Sequence, residues 1–117
     1  MKTKTPTWYR KKLVERAKLE AKERDNWICQ RCGKNGKAGY KIDGAHIYSE
    51  GKYNGMSALI ENIIALCMQC HLWWHENPLN ASEWFQKKFS EKYKILKKLS
   101  LKTIKKNWKQ EYENSTN

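Results

Sequence analysis

No run of apolar residues in this 117-residue chain approaches the about 18 needed to span a bilayer, so a membrane helix is not expected. Residues 1–7 are polar and basic and lack the apolar middle of a secretory signal. Acidic side chains are scarce: 12 Asp and Glu stand against 24 Lys and Arg, which leaves a net charge of +12. There are three histidines in all. Internal repeats are absent, and no low-complexity stretch occurs beyond the polar tail at residues 114–117. These features predict a soluble, intracellular protein. A chain this short makes one domain with a modest core, and an added staple such as a bound metal would help it fold.

The positive charge is unevenly spread. Residues 1–27 carry nine basic and four acidic side chains, residues 28–85 five of each, and residues 86–117 ten and three. A neutral centre is thus flanked by two basic arms, at +5 and +7. Such arms usually meet a polyanion, with nucleic acid first among the candidates. Solvated helix faces are the plainer alternative, and an acidic membrane surface fits less well because Trp and Tyr interleave at core-like spacing.

Hydrophobic spacing divides the chain further. Trp8, Leu13, Val14, Ala17 and Ala21 predict a helix over residues 8–24, capped by Thr7 and broken at Asp25 and Asn26. A turn-rich knuckle follows at 29–39, a strand at 41–48, a loop at 50–55, a short apolar stretch at 62–66 and a short helix at 69–76, halted near Pro78. Asn80 and Glu83 resemble a capping box. Phe85, Phe89, Tyr93 and Leu96, and then Leu101, Ile104, Trp108 and Tyr112, predict two helices or one kinked helix. These aromatics read as packing residues, with base stacking by Trp108 or Tyr112 as the minor alternative.

The sharpest signal is Cys29-Gln30-Arg31-Cys32 together with Cys67-Met68-Gln69-Cys70. A CxxC turn can aim both sulfurs at one ion, and two such pairs close the tetrahedral shell of zinc. A closed shell has no position for water, so this ion is expected to be structural. The 34 residues between Cys32 and Cys67 exceed the gap of a compact zinc ribbon and must form a unit of their own. A disulfide pair or buried free thiols remain the alternatives.

All three histidines accompany these pairs. His46 is on the predicted strand, and His71 and His75, four apart on a helix, share a face and can grip one metal. Cys29-x2-Cys32, then Gly44-Ala45-His46-Ile47, then Glu61-Asn62-Ile63-Ile64-Ala65-Leu66-Cys67-x2-Cys70-His71 resembles the HNH nuclease family, most of all its small phage-type and bacterial members with two CxxC pairs. The three letters fall on His46, Asn62 and His71, and the likeness covers about residues 25–80.

The resemblance implies an α+β, mostly helical fold. A ββα-metal core at 28–80 would be stapled by a four-cysteine zinc site; the basic helical arm at 1–27 and the basic helices at 81–113, read from charge and spacing, would flank it. It implies cleavage of DNA phosphodiester bonds to 5′-phosphate and 3′-hydroxyl ends. His46 would be the general base that activates water, and Asn62 would orient the loop that holds it. His71 would hold a catalytic divalent metal, Mg²⁺, Mn²⁺, Ni²⁺ or Zn²⁺, separate from the structural zinc. Ala45 stands where many relatives have an Asp or His ligand, so Asp43, His75 or water would complete the set. The loop after the histidine offers Lys52 where relatives often carry Arg; Lys52, Lys87 and Lys88 are the expected DNA contacts. A zinc-stapled DNA-binding module without catalysis is the alternative. No base-reading helix is evident, so contacts are expected to be mainly to backbone. Neither a membrane nor a small-molecule cofactor enters this expectation. The likeness also implies a bacterial cytoplasmic setting, phage-encoded or not, with phage packaging or recombination proteins as further partners and a monomer or homodimer as the working form.

Overall fold

In the computed structural model, which describes residues 3–115, two antiparallel strands lie between one long helix and a set of shorter ones. Met1, Lys2, Thr116 and Asn117, the extremes of the polar N-terminal stretch and of the polar tail, lie outside the described residues. Helix α1 spans Pro6–Arg24. It starts two residues earlier than its apolar stripe, because Pro6 occupies the first turn and Thr5, not Thr7, is the cap, its hydroxyl accepting from the Trp8 amide at 3.2 Å. The helix ends at Asp25, and Asn26 and Trp27 then take left-handed backbone angles, φ 57° and 59°.

Strand β1 is Ile42–His46 and strand β2 is Ile63–Cys67, with Gly44 opposite Ala65 and Ala45 opposite Ile64. Every residue of β2 is buried, as befits a strand covered on both faces. Ile63 packs with Ala17 and Ala21 of α1, whereas Ile64 and Leu66 join a core with Phe85 and Leu96. Strand β1 ends two residues before its apolar pattern does. The side chain of Asn62 takes over the Tyr48 amide at 2.8 Å and turns the chain away.

Helix α2 (Met68–Glu76) leaves β2 without a loop. Among the described residues three helices follow, rather than two or one kinked: α3 (Pro78–Lys88), α4 (Ser90–Ser100) and α5 (Trp108–Ser115). Pro78 rather than Asn80 opens α3, by the same first-turn preference as Pro6. Phe89, at φ −124° and ψ 53°, breaks the helix between α3 and α4. Residues 101–107 form no helix, and Ile104 there packs on the core from a non-helical segment. Helix α5 lies on α1, where Trp8, Tyr9 and Tyr112 form an aromatic cluster with ring centroids 5.2–5.5 Å apart. These aromatics are packing residues.

The end of α1 is fastened to β2 by charge-assisted hydrogen bonds. Arg24 forks onto Asp25 through two contacts of 2.9 Å and donates to the carbonyls of Ile60 and Ile63. Asp25 in turn accepts from the Ala65 amide at 3.0 Å. No helix among the described residues is long and apolar enough to cross a membrane.

Candidate metal centres and active cleft

Cys29, Cys32, Cys67 and Cys70 bring their four Sγ atoms within 4.8 Å of one another, and none forms a disulfide. The two CxxC turns use the same local device. The Cys32 amide donates to Cys29 Sγ at 3.5 Å, and the Cys70 amide donates to Cys67 Sγ at 3.4 Å. Cys67 also caps α2, so its sulfur sits at the positive end of a helix. The first knuckle is tied to the hairpin by the Gln30 amide donating to the Ala65 carbonyl at 2.9 Å.

This donor set suits a tetrahedral ion. Zinc–sulfur bonds of about 2.3 Å put ligand sulfurs about 3.8 Å apart, and Cys32 and Cys67 stand 3.6 Å apart. The thiols of the bare site are unequal. Burial raises Cys29, but backbone amides of Cys32, Cys67 and Arg31 outweigh it and bring the thiol to about 6. Burial pushes Cys70 up to about 12, against the pull of the Arg31 guanidinium. Burial likewise raises Cys32, so the Cys29 thiolate is favoured while Cys32 and Cys70 are pushed toward the protonated form, an imbalance that a dication would remove. Arg31, which sequence reasoning passed over, lies 3.6 Å over the Trp73 ring and 3.5 Å from Cys70 Sγ. Its place inside the first CxxC was the available signal.

The histidines line a separate open cleft of about 310 Å³ with Lys18, Gly44, Ser49 and Glu50. His46 is half-buried at the end of β1. Its main-chain carbonyl accepts from the Trp74 indole at 3.2 Å, and its Nε2 lies 2.7 Å from the carbonyl of Ser57. A carbonyl can only accept, so Nε2 carries the ring's proton and Nδ1 holds the free lone pair. Burial pushes the imidazole below the ordinary 6.5, more than the Ser57 bond raises it, so the ring is neutral at pH 7. Ser57 is fully buried and also escaped sequence reasoning, because the contact uses only its backbone.

Asn62 is fully buried and makes three hydrogen bonds. Its carbonyl accepts from the Tyr48 amide at 2.8 Å. Its amide group donates to the Tyr48 carbonyl at 3.0 Å and to that of Met56 at 3.1 Å. It therefore holds both ends of the excursion between the strands, including the turn that delivers Ser57.

His71 and His75 face each other with Nε2 atoms 3.0 Å apart. Two imidazole nitrogens bound side by side to one ion at about 2.1 Å stand about 3.0–3.4 Å apart, so the pair suits a metal. Asp43 reaches His71 from the other side, its Oδ2 lying 3.2 Å from Nδ1. Among the described residues the four cysteines are the one group of three or more whose ligand atoms all converge. The structure thus brings His46, His71 and His75 to one cleft, whereas Asp43 does not line it and instead meets His71 from behind; Asn62 holds the adjoining loop. Lys52 lies apart, beside Tyr53 and a depression shared with Ser100 and Lys102. Lys87 and Lys88 are exposed at the end of α3, where Lys88 donates to the Gln30 carbonyl of the first knuckle.

No curated protein and no solved structure matches the chain. Residues 29–76 match the family model described as HNH endonuclease. That segment holds both CxxC pairs, the hairpin, Asn62 and the histidine pair of α2, with the strand–strand–helix order of a ββα-metal fold. The segment that supplies the cleft's three histidines is thus similar to the HNH endonuclease family over residues 29–76.

Proposed function

We propose that the protein is a metal-dependent endonuclease that hydrolyses DNA phosphodiester bonds, and that its four cysteines hold one structural zinc. The observation that carries this reading is the pairing, in one cleft of an HNH segment, of a neutral histidine aimed by a backbone carbonyl with a histidine pair spaced for an ion.

Nδ1 of His46 takes a proton from a water molecule, and Nε2–H stays on the Ser57 carbonyl, which steadies the imidazolium that forms. The water oxygen bonds to phosphorus as the bond to the 3′ oxygen breaks, and the departing 3′ oxygen takes a proton from solvent water, giving 5′-phosphate and 3′-hydroxyl ends. Nε2 of His71 and Nε2 of His75 would hold the catalytic divalent ion. Bound there, Mg²⁺, Mn²⁺, Ni²⁺ or Zn²⁺ would supply Lewis-acid stabilisation of the departing oxygen. Asp43 acts behind His71. By accepting from Nδ1–H it fixes the tautomer that leaves Nε2 a ligand, a familiar arrangement around metal-bound imidazole. Asn62 orients the loop. The basic arms, with Lys87 and Lys88, bind the DNA backbone, and affinity falls steeply with salt.

The test is plasmid nicking. Wild type with added Mg²⁺, Mn²⁺ or Ni²⁺ is expected to relax supercoiled plasmid, and EDTA to stop it. His46→Ala should lower the rate about a hundred- to ten-thousandfold while leaving DNA binding intact. Binding without cleavage under every metal would instead support an inactive DNA-binding module, with Ala45, buried and without a donor atom, as its cause.

The pH profile gives an independent check. His46 must be neutral to act, and its proton affinity in the folded protein is lowered from 6.5 by burial. The acid limb of kcat/KM should therefore have its midpoint below 6.5, and a midpoint above about 7 would remove His46 from the role. The stability term has a matching sign. The unfolded chain takes up this proton first, so the contribution is full above 6.5 and is lost as pH falls through the lower folded value.

A further inference from the structure

Helix α1 lies outside the segment that matches the family, yet it sends one cation into the cleft. Lys18 lines the same space as His46, His71 and His75. Its stem is laid flat on β1. A Cβ built on Gly44 would stand 2.9 Å from Lys18 Cγ and 3.0 Å from Lys18 Cβ, closer than side chains tolerate, so a glycine is what lets the helix approach here. Gly44 and His46 are two apart on the strand and share a face. The Lys18 stem therefore starts from the strand face that carries His46, and its charge is near enough to act on that imidazole.

The surrounding charges leave this cation free. Glu50 also lines the cleft, but Arg10 pairs with it at 3.2 Å, and that guanidinium side chain is only 12% exposed. Lys18 has no carboxylate within 4.0 Å among the described residues. A lysine of intermediate exposure that lines the cleft with three histidines and pairs with no carboxylate offers a cation that a phosphodiester would match. The loop after His46 does not provide an alternative, because Lys52 lies elsewhere.

We infer that Lys18 of helix α1 contacts a non-bridging oxygen of the scissile phosphate, so that the active site is completed by a helix outside the HNH segment. This rests on the nuclease reading above. On it, the negative charge that grows on phosphorus-bound oxygen as water attacks is met by Lys18, while His46 handles the proton.

The experiment compares wild type, Lys18→Met, Lys18→Gln and Lys18→Arg on two substrates with the same metal. One is supercoiled plasmid, and the other is bis(p-nitrophenyl) phosphate, a diester too small to reach the basic arms. Loss of a charge-assisted phosphate contact should slow Lys18→Met and Lys18→Gln about ten- to a hundredfold on both substrates. The loss should fall on kcat, and Lys18→Arg should keep most of the rate. Thermal melts and zinc content matching wild type identify the variants to be compared; Lys18→Gln stands in if the apolar substitution disturbs folding. Neutral variants that keep wild-type rates overturn the assignment, and so does a loss confined to plasmid, which would make Lys18 one more remote backbone contact. Wild type that cleaves neither substrate overturns the nuclease reading itself, a result separable from the other two because it needs no variant.

Discussion

Cys29→Ser, or removal of the ion by a strong chelator, is expected to unfold the segment between the two knuckles rather than merely inactivate it. Four sulfurs drawn within 4.8 Å join the turn after α1 to the start of α2. Without a dication, Cys29 would remain a thiolate near pH 7 among thiols that suppress further ionisation, and Cys70 would be held protonated, its thiol pushed up to about 12. Structural zinc in small domains contributes on the order of 10–16 kcal/mol. The whole stability of a domain is about 5–15 kcal/mol, so little of the fold should survive the loss. Circular dichroism with a colorimetric zinc assay reads this directly. One zinc per chain, released as the helical signal collapses, is the expected result. A chelated protein that melts like the untreated one would show that the cysteines are ordinary core residues.

Asn62→Asp is the second large effect, and it should strike fold and activity together. The change is nearly isosteric, but the new carboxylate would face the carbonyls of Tyr48 and Met56 where an amide now donates at 3.0 and 3.1 Å. It would lose two donated bonds and bury a charge at a fully enclosed position. Breaking such a buried network costs about 3–5 kcal/mol. The denaturant midpoint should drop accordingly. Plasmid nicking should fall even below the denaturation range, because the displaced turn carries the Ser57 carbonyl that aims His46. Nicking at the wild-type rate by a destabilised Asn62→Asp would separate the two roles and leave Asn62 a purely architectural residue.

Both cysteine pairs and the His71–His75 pair were legible in the sequence because side-chain type and spacing mark them, whereas Asn62 was singled out only by the resemblance to the HNH family. Helix boundaries were less so. Thr7 was the expected cap and Thr5 is the cap, since a proline one residue later overrides the apolar stripe. The stripe of Leu101, Ile104, Trp108 and Tyr112 has helical spacing, yet residues 101–107 are not helical. Ile104 reaches the core from a non-helical segment there, and periodicity cannot distinguish that from a turn of helix. Ser57 was invisible because only its backbone oxygen matters. Lys18 looked like any other lysine on a basic helix until β1 was seen beneath it. The positions of Lys52 and Asp43 likewise depend on long-range packing: one is carried away from the cleft, and the other arrives behind His71.

The approach of Ile104 to Gly55 gives the C-terminal arm a second meaning. A methyl group at Gly55 would stand within van der Waals overlap of the Ile104 carbonyl, so main chain lies directly on main chain between the α4–α5 connection and the turn leading to Ser57. That turn is thus immobilised from outside by residues 101–107 and from within by Asn62. The conformational entropy of ordering it is lost once, when the chain folds, and not again at each encounter with substrate. On the nuclease reading, the connection at 101–107 in the basic arm would also preorganise the histidine that acts on the polyanion.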